Sequence, residues 1–234
     1  MSRREELAAG LDAVRARVAA AAAAAARDPG ELVLVVVTKT FPPQDVRLLS
    51  GLGVGDVGES REPEASATAA ACADLPLRWH QVGQVQTNKA SAVASWADVV
   101  HSVDRPRLVA ALSRAAEAAG RELGCFVQVD LGGGPGEVGA RGGVEPAGLR
   151  ALADAVAQAP GLRLDGVMAV APRGGEPARA FAELAELAAA VRADHPGARW
   201  TSAGMSGDLE AAVAAGATHL RVGRAVLGSR APVQ

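Results

Sequence analysis

The 234-residue chain has no tyrosine, two cysteines and only 3% aromatic residues. Without tyrosine no phenol is available, so an acid or base at any site must come from another residue type. Cys72 and Cys125 have no metal-type spacing and are too few for a disulfide framework, a usage that suits a reducing compartment. Charge of one sign is lacking too. The 24 basic and 26 acidic side chains leave a formal charge of -2, which removes the general electrostatic case for nucleic acid or an anionic membrane as partner. No stretch approaches the ~20 apolar residues that a membrane span requires. The alanine run from Ala19 to Ala26 is weakly apolar, and Glu5, Glu6, Asp12, Arg15 and Arg17 break up the segment before it. A signal peptide is therefore not expected, and the reading is a cytoplasmic protein.

What the chain has in quantity is apolar side chain, 49% of residues, enough for one large core. Leu7, Leu11, Val14 and Val18 recur at helical spacing and predict an amphipathic opening helix. Asp28-Pro29-Gly30 breaks the chain, and the unbroken run Val33 to Val37 then leads into Thr38-Lys39-Thr40. A β-branched run without alternation reads as a strand buried on both faces, as in a parallel sheet covered by helices.

From Lys39 onward strand-like and helix-like segments alternate. Strands are expected at 55–59, 78–82, 98–103, 125–131, 164–170, 200–203 and 219–222. Helices are expected from Pro43, over 62–73, 86–95, 106–119 (capped by Asp104), 146–159, 176–192 and 208–215, with a glycine-rich loop from Gly132 to Gly143. This pattern predicts an α/β fold, a (β/α)8 TIM barrel with an extra amino-terminal helix on its bottom or side. An open doubly wound sheet is disfavoured because no Gly-x-Gly-x-x-Gly follows the first strand. No linker or composition break divides the chain, so residues 1–234 are read as one domain.

In a barrel the carboxyl ends of the strands share one mouth. Those ends carry Lys39, Glu59 with Ser60, His80 with Gly83, His101 with Ser102, Asp130, Met168, Ser202 with Gly204 and Met205, and Arg221 with Gly223. The set contains neither a glycosidase-type carboxylate pair nor a cluster of metal ligands. Lys39 has two readings: an amine desolvated by apolar neighbours and able to form a Schiff base, or a strand-end lysine whose head stays in water. Ser202-Ala203-Gly204-Met205-Ser206 and Arg221-Val222-Gly223-Arg224-Ala225 each lead into a helix start after the last two strands, where barrels often bind phosphate. A lysine, a phosphate cradle and Arg221 together describe a pocket for pyridoxal 5'-phosphate. His80 and His101 read as hydrogen-bonded core or rim residues, and Met168 and Met205 as barrel packing.

Several blocks in order carry a resemblance: Val-Thr-Lys-Thr at 37–40, Val-Gly-Glu-Ser at 57–60, Trp-His-Gln-Val-Gly-Gln-Val-Gln-Thr-Asn-Lys at 79–89, His-Ser-Val-Asp at 101–104, Gly-Met-Ser-Gly-Asp-Leu-Glu-Ala-Ala at 204–212 and Arg-Val-Gly at 221–223. They resemble the pyridoxal phosphate homeostasis protein family, whose fold is similar to the amino-terminal domain of alanine racemase. The resemblance implies a monomeric carrier that holds pyridoxal phosphate as a Lys39 aldimine and buffers it or supplies it to apoenzymes, without established catalysis. It further implies that Arg221 faces the ring nitrogen, that Ser202 and the amides of Gly223 and Arg224 hold the phosphate, and that Ser60, Gly204 and Met205 complete the pocket. The family usually has asparagine at the position of Ser60, and often threonine at Arg224 and lysine at Arg141. Two alternatives stay open. One is a racemase, which needs a base on each face of the α-carbon and in the resembled enzymes takes one from a tyrosine absent here. The other is a phosphosugar barrel using Lys39 as an aldolase-type amine.

Overall fold

The computed structural model describes residues 1–132, 142–172 and 174–228. Eight parallel strands close into a barrel in sequence order: β1 Val33–Val37, β2 Asp56–Glu59, β3 Arg78–Gln81, β4 Val99–Val103, β5 Leu123–Gln128, β6 Leu162–Met168, β7 Trp200–Ser202 and β8 His219–Val222. After α1 Arg3–Ala24, the outer helices are α2 Pro43–Ser50, α3 Glu64–Ala71, α4 Ala90–Trp96, α5 Pro106–Ala119, α6 Leu149–Ala157, α7 Pro177–Asp194, α8 Leu209–Ala214 and α9 Arg224–Leu227. The expected (β/α)8 architecture with an additional amino-terminal helix is the one found.

The main core lies between strands and helices, where Val36, Val57, Val100, Leu112, Leu184 and Leu220 are fully or nearly fully buried. Inside the barrel the filling differs. A small apolar plug of Val99, Phe126 and Met168 sits there, and the remaining space is taken by polar side chains. A TIM barrel usually fills that space with layers of branched aliphatics, so this interior is unusually rich in hydrogen-bonding groups.

Some boundaries differ from the sequence reading. Strands β5 and β6 begin two residues early, at Leu123 and Leu162. Gly124 lies inside β5 because the strand needs a residue without a side chain there: a Cβ would fall 2.1 Å from Asp165 Oδ2. Asp104 does not cap α5; Arg105 is the cap residue, with no side-chain cap bond, and the Asp104 carboxylate pairs with the Arg105 guanidinium instead. Short 3-10 turns at Thr87–Lys89 and Pro146–Gly148 precede α4 and α6, where single helices are expected. Most of the glycine-rich loop, with Arg141, lies outside the described residues.

Helix α1 lies against α9, α8 and α2, on the side of the barrel. Leu7, Leu11 and Val14 form its buried face, and Val18 packs at the edge, as the spacing predicts. Arg3 clamps Asp45 of α2 at 2.7 Å and reaches the Leu227 carbonyl of α9 at 3.1 Å. The crossing of α1 over α9 is close at Gly10, where a Cβ would stand 2.4 Å from Val226 O. An ordinary Gly→Ala change in a helix gains about 0.5–1 kcal/mol. Here the backbone contact reverses the sign, and Gly10→Ala is expected to destabilise the fold by about 1–3 kcal/mol in urea unfolding. A stability gain in that experiment would show that α1 is not packed as described.

Candidate functional site

Barrel closure assembles the site. Strand β1 pairs with β2 on one side and β8 on the other, in registers Val37 to Gly58 and Val36 to Val222. Adjacent strands lie about 4.8 Å apart, so Lys39, just past β1, stands between Ser60, just past β2, and Gly223, just past β8. Lys39 is exposed in a turn closed by Phe41 N–H to the Thr38 carbonyl at 2.9 Å. It is not pressed among apolar neighbours, as a desolvated lysine would be, because the chain leaves the sheet at Thr38. The next residue, Thr40, has φ +70, an outlier for a β-branched side chain. Such strain persists where surrounding structure imposes it, commonly beside functional groups.

Gly223 permits a second close approach, since a Cβ there would lie 3.0 Å from Val37 O. It opens the short helix α9, whose first-turn amides of Arg224 and Ala225 lie outside the intrahelical ladder. The Arg224 side chain is exposed. Gly204 is buried at φ +90, with Ala212 Cβ 2.7 Å from where its own Cβ would be, and its carbonyl accepts Arg221 N–H at 2.9 Å. That turn swings Met205 outward to 38% exposure, so Met205 is a rim residue and not the barrel packing expected of it. Its amide is held by Asp208 Oδ1 at 2.5 Å.

Arg221 is buried inside the barrel. Its Nη1 donates to Ser202 Oγ and its Nη2 to the Ala169 carbonyl at 2.9 Å. Two of its five N–H donors are so engaged, leaving the others for a ligand. Burial lowers its pKa to about 10, and Asp208 opposes that shift, so it stays a cation at neutral pH. Ser202, expected at a phosphate, is fully enclosed, and its hydroxyl lies between Arg221 and His101 Nδ1, the latter at 2.8 Å.

Behind Ser202 the interior continues as side chains the sequence reading did not connect. His101 Nε2 is 2.8 Å from His80 Nδ1, and His80 Nε2 is 2.9 Å from Asp56 Oδ1. Phe126 stacks on His101 at 4.6 Å between centroids, and His219 meets Phe126 edge-on at 5.2 Å. Burial pushes His219 down to about 3, with His80 and Arg78 adding to the shift. The expectation of hydrogen-bonded core histidines fits His80 and His101, both wholly buried. The placement of His80 as the third residue of β3, of His101 as the third residue of β4, and of Ser202 at the end of β7 are the available signals, readable only once closure fixes which positions point inward.

Beside Ser60 a cleft of about 330 Å³ opens, lined by Arg61, Glu62, Gln81, Gln84 and Lys89 among others. Gln81 Nε2 donates to the carbonyls of Ser60 and Gly83 at 3.3 and 3.0 Å. Among the described residues no group of three or more His, Cys, Asp or Glu could hold a metal ion, and no helix is long and apolar enough to cross a membrane.

The alanine racemase N-terminal domain family matches residues 10–231. The pyridoxal phosphate homeostasis protein of Mycobacterium bovis is 45% identical over 97% of this chain and 94% of its own length. The chain belongs to the pyridoxal phosphate homeostasis protein family. The Escherichia coli protein of the same name is 33% identical over 96% of the chain and 97% of its own length. Among solved structures, PipY of Synechococcus elongatus with pyridoxal phosphate bound superposes with TM-score 0.81, at 33% identity over 95% of this chain and all of PipY. In this family member the donor set suits such a ligand: an exposed amine, helix-start amides outside the intrahelical ladder, and a buried cation.

Glu59 gives the apoprotein a pH signature. Thr38 Oγ1 donates to its Oε1 at 2.7 Å, but burial dominates and raises its pKa to about 7. The folded chain keeps this proton to about pH 7, whereas the unfolded chain loses it near 4.5. Stability is therefore undiminished below 4.5 and falls as pH rises through 7. Glu59→Gln keeps an acceptor for Thr38 and removes that fall, so by pH 8 it should gain up to about 3 kcal/mol over the wild type. Urea unfolding of both chains from pH 4.5 to 8 checks this; parallel profiles would refute it.

Proposed function

We propose that this chain binds pyridoxal 5'-phosphate, holds it as a Schiff base on Lys39, and serves intracellular cofactor homeostasis by buffering it or supplying it to apoenzymes. The observation that carries the reading is the register of β1 with β8, which sets Lys39 beside Gly223 and the α9 amides with Arg221 beneath them. Membership of a family in which PipY was solved with this ligand supports it.

In this reading each residue has a physical task. Lys39 supplies the amine, and its exposed turn leaves the bound cofactor accessible for release. The amides of Gly223 and Arg224 receive the phosphate at the start of α9, where unpaired N–H groups and the helix dipole favour an anion. Gly204 lets the β7 loop turn close to that phosphate, while Met205 and Ser60 border the mouth. Ser202 acts from below through Arg221, since its hydroxyl is turned to that guanidinium. Arg221 faces the ring nitrogen as a permanent donor and keeps it unprotonated, which makes the ring a weaker electron sink than a carboxylate partner would. The bound cofactor itself supplies a reactive aldehyde. An arginine partner and the absence of tyrosine both favour holding over turnover.

Lys39 and Lys89 are the only lysines in the chain, which makes the adduct easy to locate. Borohydride reduction of the protein loaded with pyridoxal phosphate should place the modification on Lys39 by peptide mass spectrometry, with the visible band absent in Lys39→Ala. Modification confined to Lys89 or the amino terminus would overturn the assignment. A second expectation concerns turnover: in heavy water the loaded protein should exchange the α-proton of alanine no faster than free pyridoxal phosphate. Exchange well above that background would make the chain an enzyme of the racemase type.

A further inference from the structure

The side chains behind Arg221 form a series whose donor directions can be worked out. Arginine only donates, so Ser202 Oγ is the acceptor of the Arg221 Nη1 bond. The single hydroxyl proton of Ser202 is then free for His101 Nδ1, 2.8 Å away. His101 consequently carries its proton on Nε2 and donates it to His80 Nδ1 at 2.8 Å. His80 in turn donates from Nε2 to Asp56 Oδ1 at 2.9 Å. Starting from the other end gives the same result, because an ionised Asp56 only accepts. The reversed arrangement would set a bare His80 Nε2 against a carboxylate and two donors against Ser202. With neutral rings, both imidazoles are Nε2–H tautomers in this network, with every ring nitrogen partnered. Desolvation, followed by the neighbouring His80 and Arg221, holds His101 well below the ordinary histidine pKa, in agreement with this assignment.

We propose that Asp56, His80 and His101 are positioning residues for Arg221, joined in a one-directional hydrogen-bond relay that crosses the barrel and fixes the guanidinium toward the cofactor's ring nitrogen. The inference rests on the pyridoxal phosphate reading above. Asp56 opens β2 at the amino-terminal end of the barrel, and Ser202 closes β7 at the mouth end, so the relay spans the interior. Its side chain is 27% exposed, so the carboxylate end is in contact with solvent. A cation at one end and an anion at the other polarise each intervening bond in the same sense, and bonds aligned in this way reinforce one another. Ser202 is thereby held as an acceptor, Ala169 O holds the second amino group, and the plane of the guanidinium is fixed by the two bonds together.

The test has an arm without cofactor and an arm with it. In the apoprotein, nitrogen NMR of labelled histidines at neutral pH should show a protonated Nε2 and a bare Nδ1 on His80 and His101. Protonated Nδ1 on either ring, or a charged imidazole, would overturn the relay. In the second arm, Asp56→Ala should weaken retention of pyridoxal phosphate about 3- to 10-fold, the range of one lost hydrogen bond. The ring-nitrogen signal of labelled pyridoxal phosphate should shift with it. Asp56→Asn retains an acceptor oxygen for His80 and should restore both readouts to near wild type, which a merely structural role for Asp56 does not require. Unaltered retention and ring signal in Asp56→Ala, with the wild type binding normally, would overturn this inference alone. Failure of the wild type to bind pyridoxal phosphate would overturn the functional reading and the inference together.

Discussion

The pairing of β1 with β8 is the contact on which the rest depends. Residues near the two ends of the chain meet there, Val35 beside Arg221 and Val36 beside Val222, and no local preference of either strand could arrange it. Once that seam closes, Lys39 and Gly223 become neighbours and Arg221 points inward between them. Helix α1 secures the same seam from outside, because it lies on α8 and α9 and is clamped to α2 through Arg3 and Asp45. The close crossing at Gly10 serves the same packing, and through it α1 holds α9, whose first-turn amides the proposed site uses.

The barrel interior raises an energetic question. Arg221, His80 and His101 are among the side chains withdrawn from water there, and leaving any of them unpaired would cost several kcal/mol. The structure answers by pairing them in series, Arg221 to Ser202 to His101 to His80 to Asp56, with Phe126 stacked on the imidazole. A fully satisfied polar core specifies one arrangement, whereas a half-satisfied one would be worse than an apolar filling. The result is a cation held in a fixed place under an open mouth, while the amine above it stands in a solvent-facing turn. Rigid below and open above is a division that suits the proposed role of holding a reactive aldehyde and giving it up.

The alternation of apolar runs with helix signals was enough to read eight strands and the barrel, because burial on both faces leaves an unmistakable pattern in short β-branched segments. Strand ends then placed Lys39, Gly204, Arg221 and Gly223 at one mouth. Three things were not legible. Of the two readings of Lys39, the strand-end lysine with its head in water agrees with its exposure, but the turn with Thr40 at positive φ is a backbone feature that side-chain types do not announce. The start of β5 ahead of Gly124, which makes room for Asp165 across the sheet, is not marked by residue type. The resemblance gives Ser202 to a phosphate, and the structure turns its hydroxyl to Arg221 and His101. Its inward direction depends on the pleat of a three-residue strand and on His101, a partner distant in the chain.

The central claim is that one mouth unites Lys39, the start of α9 and Arg221 around pyridoxal phosphate. A crystal structure of the chain grown with pyridoxal phosphate tests it most directly. The account requires continuous density from Lys39 Nζ to the cofactor, the phosphate on the amides of Gly223 and Arg224, and the ring nitrogen within hydrogen-bond distance of Arg221. Density for the cofactor in the cleft beside Ser60 and Lys89, with Lys39 unmodified and Arg221 facing no ligand, would contradict it.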